Sequence, residues 1–266
     1  MNAHIRPPAV AGMFYPAEKA VLSEMVTTMI KEAQRPPAMQ PKAVIAPHAG
    51  YIYSGPIAAS AYALLENIRS QIRRVVLLGP VHRVPVRGLA LPEAVAFATP
   101  LGEIALDAKA MQAVSRLPQV VYSAAAHAPE HSLEVHLPFL QHVLDDFRLV
   151  PLAVGDASPE EVAEVLDALW GKDETLIVIS SDLSHYLPYE QAQQVDRITA
   201  DSILAKQWPI SHEQACGATP INGLLATSDK HELTPSLLDL RNSGDTAGDR
   251  QQVVGYGAFA FTEVRT

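Results

Sequence analysis

Two histidines stand where apolar runs stop. His48 follows Ala43-Val44-Ile45-Ala46-Pro47, and His82 follows Val75-Val76-Leu77-Leu78-Gly79-Pro80-Val81. An imidazole in such a Gly/Pro turn can face a cleft with one nitrogen while the other bonds a backbone or carboxylate partner, as metal-binding histidines require. Spacing alone leaves a shared metal and a pair of plain turn residues equally open. A third run, Leu176-Ile177-Val178-Ile179-Ser180-Ser181, delivers Asp182 and His185. On a helical turn these two share a face, where Asp182 would orient His185 as a general acid or base. An aspartate cap beside a surface histidine fits the same spacing. Ser180 and Ser181 can hydrogen-bond into the same cleft.

The single cysteine, Cys216, lies in Gln214-Ala215-Cys216-Gly217-Ala218-Thr219-Pro220, a small-residue turn ahead of a predicted helix. A helix N-terminus stabilises thiolate, which suits a metal ligand or a nucleophile. A lone cysteine is more often an inert buried residue. His127-Ala128-Pro129-Glu130-His131 matches the H-x-x-E-H pattern of inverted zinc peptidases. That chemistry needs both histidines on one helical face, whereas Pro129 marks a helix start and leaves His127 outside it. Glu130 and His131 are instead expected to border the cleft, contacting substrate and supporting the other histidines. Tyr51 and Tyr53 flank His48; Tyr53 is a candidate for lining a pocket for a planar substrate, and a core or surface role fits either tyrosine as well.

The elements that must position these residues alternate between strand and helix patterns. Strands are expected at Ala43 to Ala46, Arg74 to Leu78, Gln119 to Tyr122, Arg148 to Val154, Thr175 to Ser180 and Val253 to Phe261, with short pieces at 88–91 and 94–97. Helices are expected over residues 17–33, 55–68, 106–117, from 129 or 130 with a kink at Pro138, 158–170, 189–205 and 220–228. Residues 35–41, with three prolines, read as a linker. Strands apolar at consecutive positions are covered on both faces. The pattern predicts one layered α/β domain over residues 1–266, with a largely parallel central sheet between helices. In such sheets the carboxyl ends of the strands open on a common crevice where ligands bind.

The chain has 266 residues, a formal net charge of −9 and a pI near 5.5. It therefore lacks the clustered basic charge that nucleic acid or an anionic membrane would require, and a small-molecule or peptide ligand is the expected partner. No signal-peptide pattern or membrane-spanning run is present, and one cysteine cannot form an intramolecular disulfide, so a cytoplasmic location is expected.

Six ordered motifs resemble the Memo family, known in microbes as the AmmeMemoRadiSam system protein B. They are Arg6-Pro-Pro-Ala-Val-Ala-Gly-Met-Phe-Tyr-Pro, Ala46-Pro-His-Ala-Gly-Tyr-Ile-Tyr-Ser-Gly, Gly79-Pro-Val-His, Glu130-His-Ser-Leu-Glu-Val-His-Leu-Pro-Phe-Leu, Ser180-Ser-Asp-Leu-Ser-His-Tyr and Ser243-Gly-Asp-Thr-Ala-Gly-Asp. The resemblance implies a fold similar to the class III extradiol dioxygenases, which hold Fe(II) with two histidines and a glutamate. Carried over by position, it implies His48 and His82 as ligands, His185 near the acid/base position, with Asp182 beside it, and Cys216 in place of the glutamate. A thiolate moves metal preference toward Cu(I) or Zn, so ring cleavage does not follow from the fold. The expectation is a metal-dependent redox protein, Fe(II) first and Cu or Zn next. The alternatives are a binding module for a peptide or for AMMECR-type and radical-SAM partners, and a hydrolase using Cys216 or zinc-bound water.

Overall fold

The structure is a computed structural model that describes residues 4–33 and 39–263. Most of the linker expected over 35–41 lies outside the described residues. In chain order the described residues form β1 (Ile5–Arg6), α1 (Lys19–Glu32), β2 (Ala43–Ala46), α2 (Tyr51–Tyr62), β3 (Arg74–Pro80), β4 (Leu89–Leu91), β5 (Ala96–Thr99), β6 (Gly102–Ala105), α3 (Ala108–Val114), β7 (Val120–Tyr122) and α4 (Ala124–His127). They continue with α5 (Leu137–Val143), β8 (Arg148–Val154), α6 (Pro159–Leu169), β9 (Thr175–Ser180), β10 (His185–Leu187), α7 (Tyr189–Leu204), α8 (Ala218–Thr227), β11 (Leu233–Asn242) and β12 (Val253–Glu263).

Strands β2, β9, β3 and β8 run parallel at the centre of a nine-stranded sheet of order β10-β12-β2-β9-β3-β8-β4-β7, with β11 also paired to β12. The sheet is mixed rather than largely parallel, because β12 is antiparallel to β2, β4 is antiparallel to β8, and β10 and β11 are antiparallel to β12. A separate three-stranded sheet joins β1, β5 and β6. Every residue of β2 and β9 is buried, which requires cover on both faces. That cover comes from two groups of helices: α2 packs on β2 and β12 and against α1 and α5, while α8 packs on β3 and β9 and against α6.

Local chemistry sets the helix starts. Ser158 accepts from Glu161 N–H while the Glu161 side chain accepts from Ser158 N–H, a capping box with Pro159 in the first turn. Asp107 caps α3 through Ala110 N–H. Helix α8 begins at Ala218, two residues before the expected start, after Gly217 with no side-chain cap. The helix expected from residue 129 or 130 begins only at Leu137, after a 3-10 turn over Glu134–His136. Pro138 thus sits in its first turn, where a missing N–H costs no intrahelical bond, and there is no mid-helix kink. Helix α2 begins at Tyr51, earlier than expected, because Tyr51 N–H finds the carbonyl of Phe14 at 2.7 Å.

Candidate metal centre at the strand ends

Because the four central strands are parallel, β2, β9 and β3 release their chains on one rim. His48 leaves β2 two residues on, Asp182 leaves β9 and His82 leaves β3. The segment 130–133 closes over this rim at Gly79, and the loop before α8 closes on the end of β9 at Gly217. A Cβ on Gly79 would sit 2.8 Å from Ser132 Oγ, and one on Gly217 would sit 2.5 Å from the Ser180 carbonyl. Any side chain at either position would push the covering loops away.

Three imidazoles meet there. One ligand nitrogen from each of His48, His82 and His131 lies within 4.8 Å of the others, so the group could hold a metal ion. The His82 and His131 rings stack at 4.6 Å, and His48 stands edge-on at 5.2 and 5.5 Å from them. His48 is fully buried, and that burial, with the neighbouring histidines, holds its pKa well below the ordinary histidine value. Burial also carries His131 down to about 4. Both rings are therefore neutral at physiological pH, the state in which a histidine ligates.

Glu130 is the anchor of this group. Its Oε2 accepts from His82 N–H at 2.6 Å, and its Oε1 accepts from His131 N–H and Ser132 N–H and stands 2.9 Å from His82 Nδ1. Burial alone would raise its pKa, yet the His82 and Ser132 hydrogen bonds outweigh that and hold it at about 2. It is a carboxylate throughout the working range. His131, read from sequence as a residue bordering the cleft, places its ring in the imidazole group itself.

Cys216 comes to the same place from the loop before α8. Its Sγ lies 3.4 Å from His48 Nε2 and 3.3 Å from the Asp182 amide, while its own N–H donates to the Asp182 carbonyl. Among the described residues the sulfur is not within the 4.8 Å group, but it borders that group on the His48 side. Burial and the Asp182 charge push the thiol up to about 12. The stabilisation expected beside a helix N-terminus is outweighed here, and the free thiol is protonated rather than nucleophilic.

Asp182 is buried beneath His48: Oδ1 accepts His48 N–H at 2.8 Å and Oδ2 is 4.0 Å from His48 Nε2. Burial raises it to about 6 against the opposing pull of that amide and of His185. His185 opens the short strand β10, with Nδ1 2.8 Å from the Leu183 carbonyl. Asp182 and His185 are thus neighbours, though on an extended segment rather than a helical turn. Tyr53 is 37 % exposed in the first turn of α2 and is not among the residues lining the cavity beside the centre. A cavity of about 430 Å³ opens beside the centre, lined by Val81, His82, Val86, Val154, Cys216 and Thr219 among others.

His127 takes no part. It closes α4 with its ring against Phe97 and Nε2 2.8 Å from the Ala90 carbonyl, so the H-x-x-E-H geometry of a peptidase is absent. Sequence reasoning missed Glu134, which is fully buried and accepts from Arg6 Nη1, Ala9 N–H, Val10 N–H and Tyr15 Oη. Its signal was the second acid of Glu130-His131-Ser132-Leu133-Glu134, four residues after the first. Arg6 also donates to the carbonyls of His127 and Glu130 at 2.8 and 2.6 Å, tying the N-terminal segment to the loop that carries His131.

Fold and site together define a mixed α/β protein with a candidate metal centre of imidazoles on the rim of its parallel strands. The Memo-like protein family model matches residues 6–260, and the chain belongs to that family. It is 36 % identical over 275 residues to a MEMO1 family protein of Archaeoglobus fulgidus, covering 97 % of this chain and 99 % of that one. It is 34 % identical to one of Aquifex aeolicus, with coverage of 97 % and 99 %. A crystal structure of an uncharacterized Escherichia coli K12 protein is similar with a TM-score of 0.49 at 12 % identity, over 80 % of this chain and 98 % of that one. No helix among the described residues is long and apolar enough to cross a membrane.

Proposed function

We propose that the chain is a metal-dependent redox protein of dioxygenase-like type, with His48 and His82 as metal ligands and His131 and Cys216 as the donors on either side. The observation that carries this reading is the convergence of three imidazole nitrogens within 4.8 Å. The donors suit the group: the His48 and His131 rings are neutral, Glu130 backs His82, and one soft sulfur is at hand, a set that accommodates Fe(II) and, with thiolate bound, Cu or Zn. When bound, such an ion supplies Lewis-acid or one-electron chemistry to a coordinated substrate oxygen.

The chain's own residues supply the rest. Glu130 and Asp182 fix the backbone amides of His82 and His48, so the rings are held before any ligand arrives. The cavity of about 430 Å³ beside His82 and Cys216, which Asp156 and His212 also line, admits a small substrate. Asp182, raised to about 6, and His185 hold and move a proton next to His48. The test is metal content after anaerobic expression with Fe(II), comparing wild type with His48→Ala. Loading near one ion per chain in wild type and its loss in the variant support the reading; equal content in both removes it.

A binding module is the second reading, favoured by apolar exposure on the segments around the start of α2. Met13 and Ile52 are 73 % and 57 % exposed beside Tyr53. Such a surface suits a peptide, or an AMMECR-type or radical-SAM partner. It predicts partner retention in pull-down that is lost on Ile52→Asp, with no oxygen uptake on any catechol-like compound.

A further inference from the structure

Hydrogen-bond bookkeeping fixes which ring nitrogen of His48 carries the proton. Ser180 Oγ lies 2.7 Å from the Ser132 carbonyl and 2.6 Å from His48 Nδ1. A hydroxyl has one hydrogen and two lone pairs. The Ser132 carbonyl only accepts, the residue is fully buried, and Ser180 is the donor that reaches it. Ser180 therefore gives its hydrogen to Ser132 and must accept from His48, which places the His48 proton on Nδ1. The chain of bonds continues, since Ser132 Oγ donates to the Pro80 carbonyl at 2.8 Å. The ends of β2, β9 and β3 are thus joined through one covering residue.

His82 follows by the same logic. The partner of its Nδ1, at 2.9 Å, is a Glu130 carboxylate that can only accept. In the neutral form both rings then carry Nδ1–H and leave Nε2 bare.

We infer that Ser180 and Glu130 are positioning residues that lock His48 and His82 in the Nδ1–H tautomer, so that two Nε2 lone pairs are presented together before a metal binds. The inference rests on the metal reading for its purpose but not for its geometry. A ring free to exchange tautomers would present N–H to the ion part of the time, and outer partners of metal-bound histidines are worth about 10- to 100-fold in affinity.

The test has two arms. Long-range ¹H–¹⁵N correlation spectra of metal-free protein, recorded at about pH 7 and above, should show a protonated Nδ1 and a bare Nε2 for both histidines. An Nε2–H signal, or a tautomer mixture, for either one overturns the inference. Zinc titration by calorimetry then compares wild type, Ser180→Ala and Ser180→Thr, with circular dichroism checking the fold. Ser180→Ala should mix the His48 tautomers and weaken zinc by about 10- to 100-fold, and Ser180→Thr, which keeps the hydroxyl, should restore both. Unchanged zinc affinity in Ser180→Ala overturns the inference. Wild-type protein that shows both bare Nε2 atoms yet binds no zinc removes the metal reading and leaves the tautomer assignment standing, so the two failures are distinguishable.

Discussion

Cys216 carries two opposing influences. The α8 N-terminus and the Ser181 and Asp182 neighbours favour thiolate, while burial and the negative Asp182 carboxyl favour thiol and win, holding the pKa at about 12. Metal-free protein should therefore react with iodoacetamide at about pH 8 on the order of a hundredfold more slowly than free cysteine, read by mass spectrometry. Rapid alkylation would show an accessible thiolate and restore the nucleophile reading. What the sequence could not convey about this residue is its burial. A small-residue turn before a helix is a good place for a reactive sulfur only when water or a cation reaches it.

At the scale of elements, the site depends on the N-terminal segment holding the loop 127–134. Glu134 has both oxygens occupied by four donors, and Arg6, 4 % exposed, spans three acceptors on that loop. Truncating one partner of a buried pair leaves the other uncompensated, so Arg6→Ala should lose about 3–5 kcal/mol in urea denaturation. Loss of less than about 1 kcal/mol would assign the segment's packing to its apolar residues instead. Helix α3 offers a pH test away from the site. Burial would raise Asp107, but Ala110 N–H and the Arg74 guanidinium outweigh it and lower its pKa in the folded state. A lowered folded pKa gives stability that is present above the ordinary carboxylate range and lost as pH falls through the folded value. Asp107→Asn keeps the cap and loses the charge, so it should cost up to about 1 kcal/mol near neutral pH. The difference from wild type should shrink and then vanish as pH falls through the lowered folded value. A difference that persists there would mean the cost is steric.

Strand positions were readable from continuous apolar runs such as Val75 to Leu78 and Leu176 to Ile179, because a central strand must be apolar on both faces. Direction was not readable. Nothing in Val253 to Phe261 distinguishes a parallel from an antiparallel neighbour, and β12 enters antiparallel against β2. Strand β11 was missed because Pro235, Asp239 and Arg241 interrupt its apolar pattern; those residues are tolerated where a strand flanks the sheet and is only half-buried.

For the molecule as a whole, the parallel strands bring His48, Asp182 and His82 to one rim, and this much was legible because each residue follows its strand directly. The contribution of His131 was not, since it depends on a loop held down by Arg6, Glu130 and the absence of a side chain at Gly79. An ion bound by the folded chain and not by the unfolded one stabilises it by mass action. Zinc at about 100 times its dissociation constant should add about 2.7 kcal/mol to wild type and nothing to His48→Ala in thermal melts. An equal shift in both would place binding elsewhere.

The central claim is that a metal sits among these side chains, and an anomalous diffraction map from metal-loaded crystals tests it most directly. The account predicts a peak about 2.0–2.3 Å from the bare nitrogens of His48 and His82, with the His131 nitrogen or the Cys216 sulfur completing the contact. A map without a peak there, or with the ion bound to other residues, would contradict it.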